Sequence, residues 1–474
     1  MIDLVVVGAG PAGLAAGACA ADLGLRCIIV DENLQAGGQY YRQPRPGAPL
    51  DRRQEAGRRL IERAAQEAEL RLGWSAYGLD EGRRLWIVRD GEVERLAPGT
   101  ILLATGAFDR PAAFPGWTLP GVMTAGSAQA LVKGQGVRPG RRAVVAGSGP
   151  FLLVAAANLL RAGVDVVEVV EAASMPRIGR WLPRSLRHPA RYVELAGYVV
   201  ELLGRRVPIR LGEMVVAAEG VDGIQSVRIS QRRSHGGPTR PERRVEVDLL
   251  CVSYGFVAST EFARLAGCDL TWDNGLNQPV PRVNQWQETT ARGVFVAGEA
   301  CGLGGAEIAQ VEGELAAVGA ARQLGRISEQ DAVRIAAPLR DRLRRLREFA
   351  SLLPMLFPPP PELHQLASAE TIVCRCENVT LGTVLARVAA DEATTINELK
   401  TTTRVGMGWC QGRVCGSLLP GTLASRTGGR FDGGSAFTAR NPVRPVPAAA
   451  MASLVVPLPI DVTPSEAVDR EARD

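Results

Sequence analysis

Lysine is almost missing from this chain of 474 residues: of 55 lysines and arginines, only Lys133 and Lys400 are lysines. An imine-forming enzyme needs a buried lysine amine, so that chemistry has little to work with here. Histidine is as scarce, and His188, His235 and His364 lie far apart with no nucleophile motif beside them, which argues against a hydrolytic triad. No apolar run reaches 18 residues, so no transmembrane segment is expected. The chain opens Met1-Ile2-Asp3 and enters a strand at once, with no charged segment leading into an apolar one, so no signal peptide is expected. Nine cysteines without a secretion signal favour reduced thiols or metal ligands, and the expected compartment is the cytoplasm. The net charge of +5 is spread over scattered arginines, so no nucleic-acid partner is expected. The run at 177, 180, 184, 187 and 191 reads as a solvated face.

What is present points elsewhere. The length suggests about three domains and large cores. Residues 3–7 read as a buried parallel strand, followed by Gly8-Ala9-Gly10-Pro11-Ala12-Gly13, an alanine-rich helix to Asp22, and a second strand, Cys27–Val30, ending at Asp31-Glu32. This is a complete βαβ dinucleotide fingerprint. Gly8 allows the tight turn, Gly10 lets backbone approach a pyrophosphate, and Gly13 lets helix pack on strand. The pyrophosphate would sit at the helix N-terminus, with Asp31, 18 residues past Gly13, on the ribose hydroxyls.

The pattern recurs. Ala143–Ala146 reads as a strand, then Gly147-Ser148-Gly149-Pro150-Phe151-Leu152, a helix to about Ala162, and a strand over 164–170 ending at Glu171. Leu152 stands where a third glycine is usual, so two readings stay open: a Rossmann-like domain that binds no nicotinamide, or one that takes NAD(H), ATP or AMP. If NAD binds, Glu171 would repel a 2′-phosphate.

Four cysteines complete the picture. Cys374 and Cys376 form C-x-C; after 33 residues Cys410 and Cys415 form C-x₄-C. Four thiolates can hold zinc or an iron–sulfur cluster, but zinc usually takes two C-x₂₋₄-C pairs, and this spacing suits a 2Fe–2S cluster better. The cysteines at 19, 27, 251, 268 and 301 sit mostly in apolar elements and read as buried small hydrophobes, with Cys301, three residues after Gly298, near the dinucleotide site by inference.

Further segments resemble known families. Ala104-Thr105-Gly106 and Gly298-Glu299, each after an apolar strand, resemble the two short motifs that close the FAD site of glutathione-reductase-like flavoproteins; Glu299 replaces their usual aspartate. No cysteine follows Gly37-Gly38-Gln39-Tyr40-Tyr41-Arg42 and no C-x₂-C occurs, so a disulfide reductase is not expected despite the shared fold. The stretches 37–42, 104–111 and 115–126 resemble the α-type subunit of heteromeric, dye-linked amino-acid dehydrogenases, which include octopine and nopaline oxidases, hydrogen cyanide synthase, and proline and hydroxyproline dehydrogenases. Residues 406–416 resemble that family's domain similar to bacterioferritin-associated ferredoxin.

The resemblance implies an α/β protein with two Rossmann-like domains of the glutathione-reductase type and a small α-rich C-terminal 2Fe–2S domain. The boundaries expected are 1–118 with 280–330 for the FAD domain, 119–279 for the second nucleotide domain, 331–368 for a helical and proline-rich linker, 369–425 for the cluster domain and 426–474 for an extended, lightly ordered tail. Pro358–Pro361 reads as a stiff spacer that holds the modules apart. The FAD would be held by Gly8, Gly10, Pro11, Ala12, Gly13, Asp31, Glu32, Gly37, Gly38, Gln39, Arg42, Ala104, Thr105, Gly106, Gly298 and Glu299, with Gly147, Gly149 and Glu171 at the second site. The family implies a FAD-containing β-type subunit that oxidises the substrate, in some members a flavin (FMN) at the shared interface, and a small ferredoxin-like γ subunit. The expected role is electron transfer from that β-type subunit to an acceptor. A self-sufficient NADH:acceptor oxidoreductase and a non-catalytic scaffold are the alternatives. No acid–base residue is singled out.

Overall fold

The computed structural model describes the chain except residues 46, 48–50, 81, 186–188, 233–241, 430–435 and 453–474, and the side chains of 181–194 also fall outside the description. His188, His235 and the side chains at 184, 187 and 191 therefore lie outside the described residues.

Two parallel sheets share one plan. In the first, strand order is Val294–Val296, Pro98–Leu103, Ile2–Val7, Cys27–Asp31, Glu69–Leu72. In the second it is Ile209–Leu211, Asp165–Glu171, Arg142–Gly147, Leu249–Ser253, Val122–Thr124. Each sheet places the strand that enters a glycine turn at its centre. Leu4, Val5, Val6, Val144 and Val145 are fully buried, as expected where both faces of a parallel sheet are covered and the sequence runs apolar without alternation. An antiparallel three-stranded meander joins each half, 75–96 in one and 213–246 in the other.

The helix Pro11–Ala18 starts on a proline whose fixed φ suits a first turn. A Cβ at Gly13 would lie 1.9 Å from the Gly8 carbonyl oxygen, so only glycine lets this helix sit so close to the turn. The helix Ala306–Gln323 packs against it. Leucines at helical spacing over 337–353 account for the helical part expected of the 331–368 linker; the helix runs Glu329–Ala350, starting earlier because the Ser328 hydroxyl accepts the Asp331 N–H at 3.0 Å and caps it. Its Ala332, Ala336, Leu343 and Ala350 are buried in the first core.

The C-terminal module pairs Ile372–Cys374 with Val379–Thr380 and adds the helices Leu381–Ala389, Ile396–Thr403 and Arg413–Arg426. The spacer expectation fails here. Val373, Val384, Leu399 and Leu419 belong to one continuous core with Phe114, Trp117, Val215 and Tyr254. The Trp117 indole N–H donates to the Ile372 carbonyl at 2.6 Å. A module this small cannot bury its own apolar faces and leans on its neighbour. Pro360 is extended, with φ −62° and ψ 130°, but Pro361 already opens a short 3₁₀ turn, Pro361–Gln365. The described part of the tail is docked too: the Val443 N–H donates to the Tyr77 carbonyl at 2.8 Å, and the Asn441 amide donates to the Leu79 carbonyl at 2.9 Å.

Candidate functional site

The first glycine turn opens on a cavity of about 690 Å³. Gly8, Gly10, Pro11, Ala12, Asp31, Glu32, Gly38, Gln39, Ala104, Thr105, Gly106, Gly298 and Glu299 all line it. A Cβ added at Gly10 would meet nothing within 4 Å, so it would project into open space where a ligand's phosphates must approach. Asp31 is buried at the end of its strand. One of its oxygens accepts the Ala9 N–H at 2.6 Å and the other accepts the Asn33 N–H at 2.8 Å, which locks the acid under the glycine turn. Glu299 is half-buried, and desolvation pushes its carboxyl above the usual range while the Gly305 N–H pulls the other way. Cavity volume, open Gly10 position and placed acids fit a dinucleotide such as FAD.

Three expected residues stand back from the lining. Gly13 lies beneath the turn. Gly37 donates its N–H to the Ala9 carbonyl at 2.8 Å and so supports the loop. Arg42 packs on the helix Ala125–Gln135, where its Cδ lies 3.0 Å from the place of a Gly134 Cβ.

The second turn is a separate place. A Cβ at Gly147 would fall 1.8 Å from the Ser253 carbonyl oxygen, so the close turn is kept. Glu171 mirrors Asp31: its oxygens accept the Gly149 N–H at 2.8 Å and the Ala173 N–H at 2.7 Å. Burial pushes its carboxyl up to about 7. The Ser148 hydroxyl donates to the Pro358 carbonyl at 3.3 Å, and Phe357 lies against Gly149. The open approach of the first turn is thus occupied here by the chain's own 357–358 segment.

The four expected cluster cysteines meet as two pairs. Cys374 is hydrogen-bonded with Cys415 and Cys376 with Cys410, and Cys376 and Cys415 also feel the charge of Cys374. Cys415's proton shared toward Cys374 pulls the Cys374 thiol down to about 6. Among the described residues no three or more His, Cys, Asp or Glu side chains close on a single point as ligands of one ion. Two pairs of thiols match a two-iron cluster, which takes two thiolates per iron, better than a lone zinc. A Cβ at Gly408 would lie 2.2 Å from the Cys376 Cβ, so glycine is needed for the loops to meet. Cys19, Cys27 and Cys251 are pushed up to about 12 by burial, and burial raises Cys268 as well. Cys301 is half-buried with its thiol donating to the Gly298 carbonyl at 3.3 Å, and desolvation raises it far above the ordinary thiol value. These five are not gathered with the cluster set.

Sequence reasoning missed part of the lining. Arg375, Cys410, Arg413 and Val414 of the cysteine module border the large cavity, as do Trp117 and Asp109. Asp109 accepts the Gly126 N–H at 2.9 Å and the Ser253 hydroxyl at 3.0 Å, so it ties both halves at the cavity. Asp109 lies inside the stretch that carried the family resemblance, and the cysteine pattern itself marked Cys410. Arg444, from the tail, also borders the cavity and meets Glu32 at 3.7 Å.

Comparison with known proteins agrees with this geometry. The pyridine nucleotide-disulphide oxidoreductase family matches residues 2–323, and the BFD-like [2Fe-2S] binding domain matches 372–423. An opine oxidase subunit of Agrobacterium tumefaciens (strain Ach5) is 33% identical, covering 95% of this chain and 92% of the relative. The hydrogen cyanide synthase subunit HcnB of Pseudomonas aeruginosa is 32% identical, covering 95% and 98%. The L-proline dehydrogenase crystal structure from P. horikoshii superposes with a TM-score of 0.70 at 21% identity, covering 95% of this chain and 79% of that one, a likeness of fold. The chain therefore belongs to the pyridine nucleotide-disulphide oxidoreductase family, in the group that includes these opine oxidase and hydrogen cyanide synthase subunits, and it carries a BFD-like [2Fe-2S] domain in its C-terminal part.

Proposed function

We propose that this chain is the electron-transferring flavoprotein subunit of a heteromeric dehydrogenase acting on amino acids, imino acids or opines. The observation that carries the reading is the shared cavity: one space runs from the Gly8–Gly13 turn to Cys410. Bound there, FAD supplies an acceptor for an electron pair and the cluster a carrier of single electrons. The chain's own residues do the rest. The Gly10 turn presents backbone to the phosphates. Asp31, held by the Ala9 N–H, would take the ribose hydroxyls. Arg375 and Arg413 bring positive charge to the cavity wall beside the cysteines. Trp117 holds the cysteine module against the cavity through the Ile372 carbonyl.

Substrate oxidation is assigned to a partner β-type flavoprotein subunit, by analogy with relatives whose names mark them as subunits of opine oxidase and hydrogen cyanide synthase. A flavin at the shared interface and a small ferredoxin-like subunit belong to the same reading. The NADH oxidoreductase alternative is weaker, because the Pro358 carbonyl sits on Ser148 and Phe357 lies against Gly149, where the first turn stays open. The test is dye reduction with amino acids, imino acids and opines, by the lone chain and with a co-expressed partner, alongside NADH. Turnover should need the partner and NADH should leave the flavin oxidised. Substantial turnover by the lone chain, or bleaching by NADH, would overturn the division of labour.

A further inference from the structure

A second, smaller cavity of about 120 Å³ lies where the strand pair 107–109 and 256–258, the loop after Cys410 and the docked tail meet. Its wall is strongly basic. Arg110, Arg264, Lys400, Arg413 and Arg440 line it and face a single carboxylate, Glu261.

Several of these donors are buried without partners. Arg110 is 8% exposed. Its Nη2 donates to the carbonyls of Phe256, at 3.3 Å, and Leu276, while its Nε has no partner. Arg264 donates one Nη to the Phe437 carbonyl at 2.5 Å, and its Nε is also buried and unpartnered. The Gln278 amide nitrogen, on a residue 9% exposed, has no partner either. Among the described residues no ion pair joins Arg110, Arg264, Lys400, Arg413 or Arg440 to a carboxylate. A buried guanidinium without a counter-charge is strongly unfavourable, and buried donors are nearly always satisfied. Three orphaned donors from three residues that line one cavity, with further cations around it, give a wall suited to an anionic acceptor.

We infer that this cavity binds a phosphate-type oxyanion, free or as the end of a small phosphate ester. The charge balance favours a dianion over a monovalent one. Arginine forks and an amide N–H suit oxygen acceptors that accept several hydrogen bonds at once. The cavity is too small for a nucleotide base or flavin ring, so the ligand is the anion itself or one terminus of a longer molecule. Phe437 closes one side: its carbonyl accepts from Arg264 and its ring lies 5.8 Å from the Lys400 amine.

The test uses the full-length protein with flavin and cluster bound, in phosphate-free buffer of low ionic strength. Inorganic phosphate is titrated by calorimetry, and glycerol phosphate and succinate are run beside it. Saturable phosphate binding is expected, weakened roughly tenfold or more in Arg110→Gln and in Arg264→Gln. Gln278→Met keeps the side-chain bulk and guards against a folding defect in the arginine variants; it should also weaken binding. Arg138→Gln, at an exposed arginine whose Nε meets the Gly140 carbonyl, should not. Glycerol phosphate binding as tightly as phosphate identifies the source as an ester, and phosphate alone identifies the free ion. Absence of saturable phosphate binding, equal binding in all four variants, or preference for succinate would each overturn the inference.

Discussion

Gly10 concentrates the chemistry of the site in one missing side chain. Its neighbours Gly8 and Gly13 are needed to build the turn, since a Cβ at either would strike backbone oxygen. Gly10 is different: a Cβ there meets only empty cavity, so its absence serves the ligand and not the fold. Gly10→Asp should therefore fold, with normal circular dichroism, and purify without flavin. A variant that keeps its flavin absorbance would remove the phosphates from this turn. Glu171 makes a second test at this scale. Its folded value near 7 exceeds the ordinary 4.5 because burial penalises the charged form. The folded chain then holds that proton better than the unfolded chain. The group's contribution is fully present below the ordinary carboxylate range and is lost as pH rises toward 7, at a rate of at most about 1.4 kcal/mol per pH unit. Between the ordinary 4.5 and the folded value of about 7 the wild type should lose melting temperature relative to Glu171→Gln, and above that window the two curves should run parallel. Parallel melting curves across that window would show that Glu171 is charged in the fold. Both acids were visible in the sequence as the ends of apolar strands. Their hydrogen bonds to the glycine turns were not, because those partners are main-chain groups about twenty residues away whose direction only the finished turn sets.

At the scale of the element, two helices meet behind the Gly298 turn and hold it. Glu312, 3% exposed, accepts the Gly298 N–H at 2.8 Å with one oxygen and Arg347 at 2.7 Å with the other. Arg347 is half exposed, so the pair is partly screened. Arg347→Met would leave a buried carboxylate without its cation and should cost about 1–3 kcal/mol of stability, read from denaturant midpoints. Adding Glu312→Gln should recover much of that loss, since no buried charge remains. An additive double variant would show that the pair is not coupled. The sequence showed the second helix by its leucine spacing and the first strand of each sheet by its apolar run. It did not show the start of that helix, because Ser328 reads as an ordinary loop residue until its hydroxyl is seen on the Asp331 N–H. The tail illustrates the same limit: Gly- and Pro-rich composition suggests loose chain, yet Asn441 and Val443 find carbonyls on the meander strand Ser75–Leu79.

Across the whole molecule, the arrangement of modules was the least visible feature. Local periodicity says that a face is buried; it does not say against what. Trp117 and Ile372 are 255 residues apart, and nothing in either segment names the other. The proline stretch suggests separation, whereas a shared core joins the cysteine module to the second sheet and its meander, and the shared cavity brings it to the flavin-type half. This changes what removing a ligand should do. With a true spacer, Cys410→Ser would cost the iron and sulfide and leave the flavin's surroundings untouched. With Cys410, Arg375 and Arg413 on the cavity wall, the same variant should lose iron and acid-labile sulfide, retain its flavin, and show a shifted flavin absorbance band and changed fluorescence quenching. Retention is expected because the Gly8–Gly13 turn, Asp31 and Gly298 lie on the first sheet, away from the cysteines. The spectral change is expected because Cys410 and, three residues on, Arg413 line the cavity, so losing the cluster removes its charge from that wall. Arg413→Gln, which leaves all four cysteines in place, separates the two effects: iron content should stay normal while the flavin band still moves. A flavin spectrum identical in wild type, Cys410→Ser and Arg413→Gln would mean that the cysteine module does not border the bound flavin, and that electrons between them must take another route.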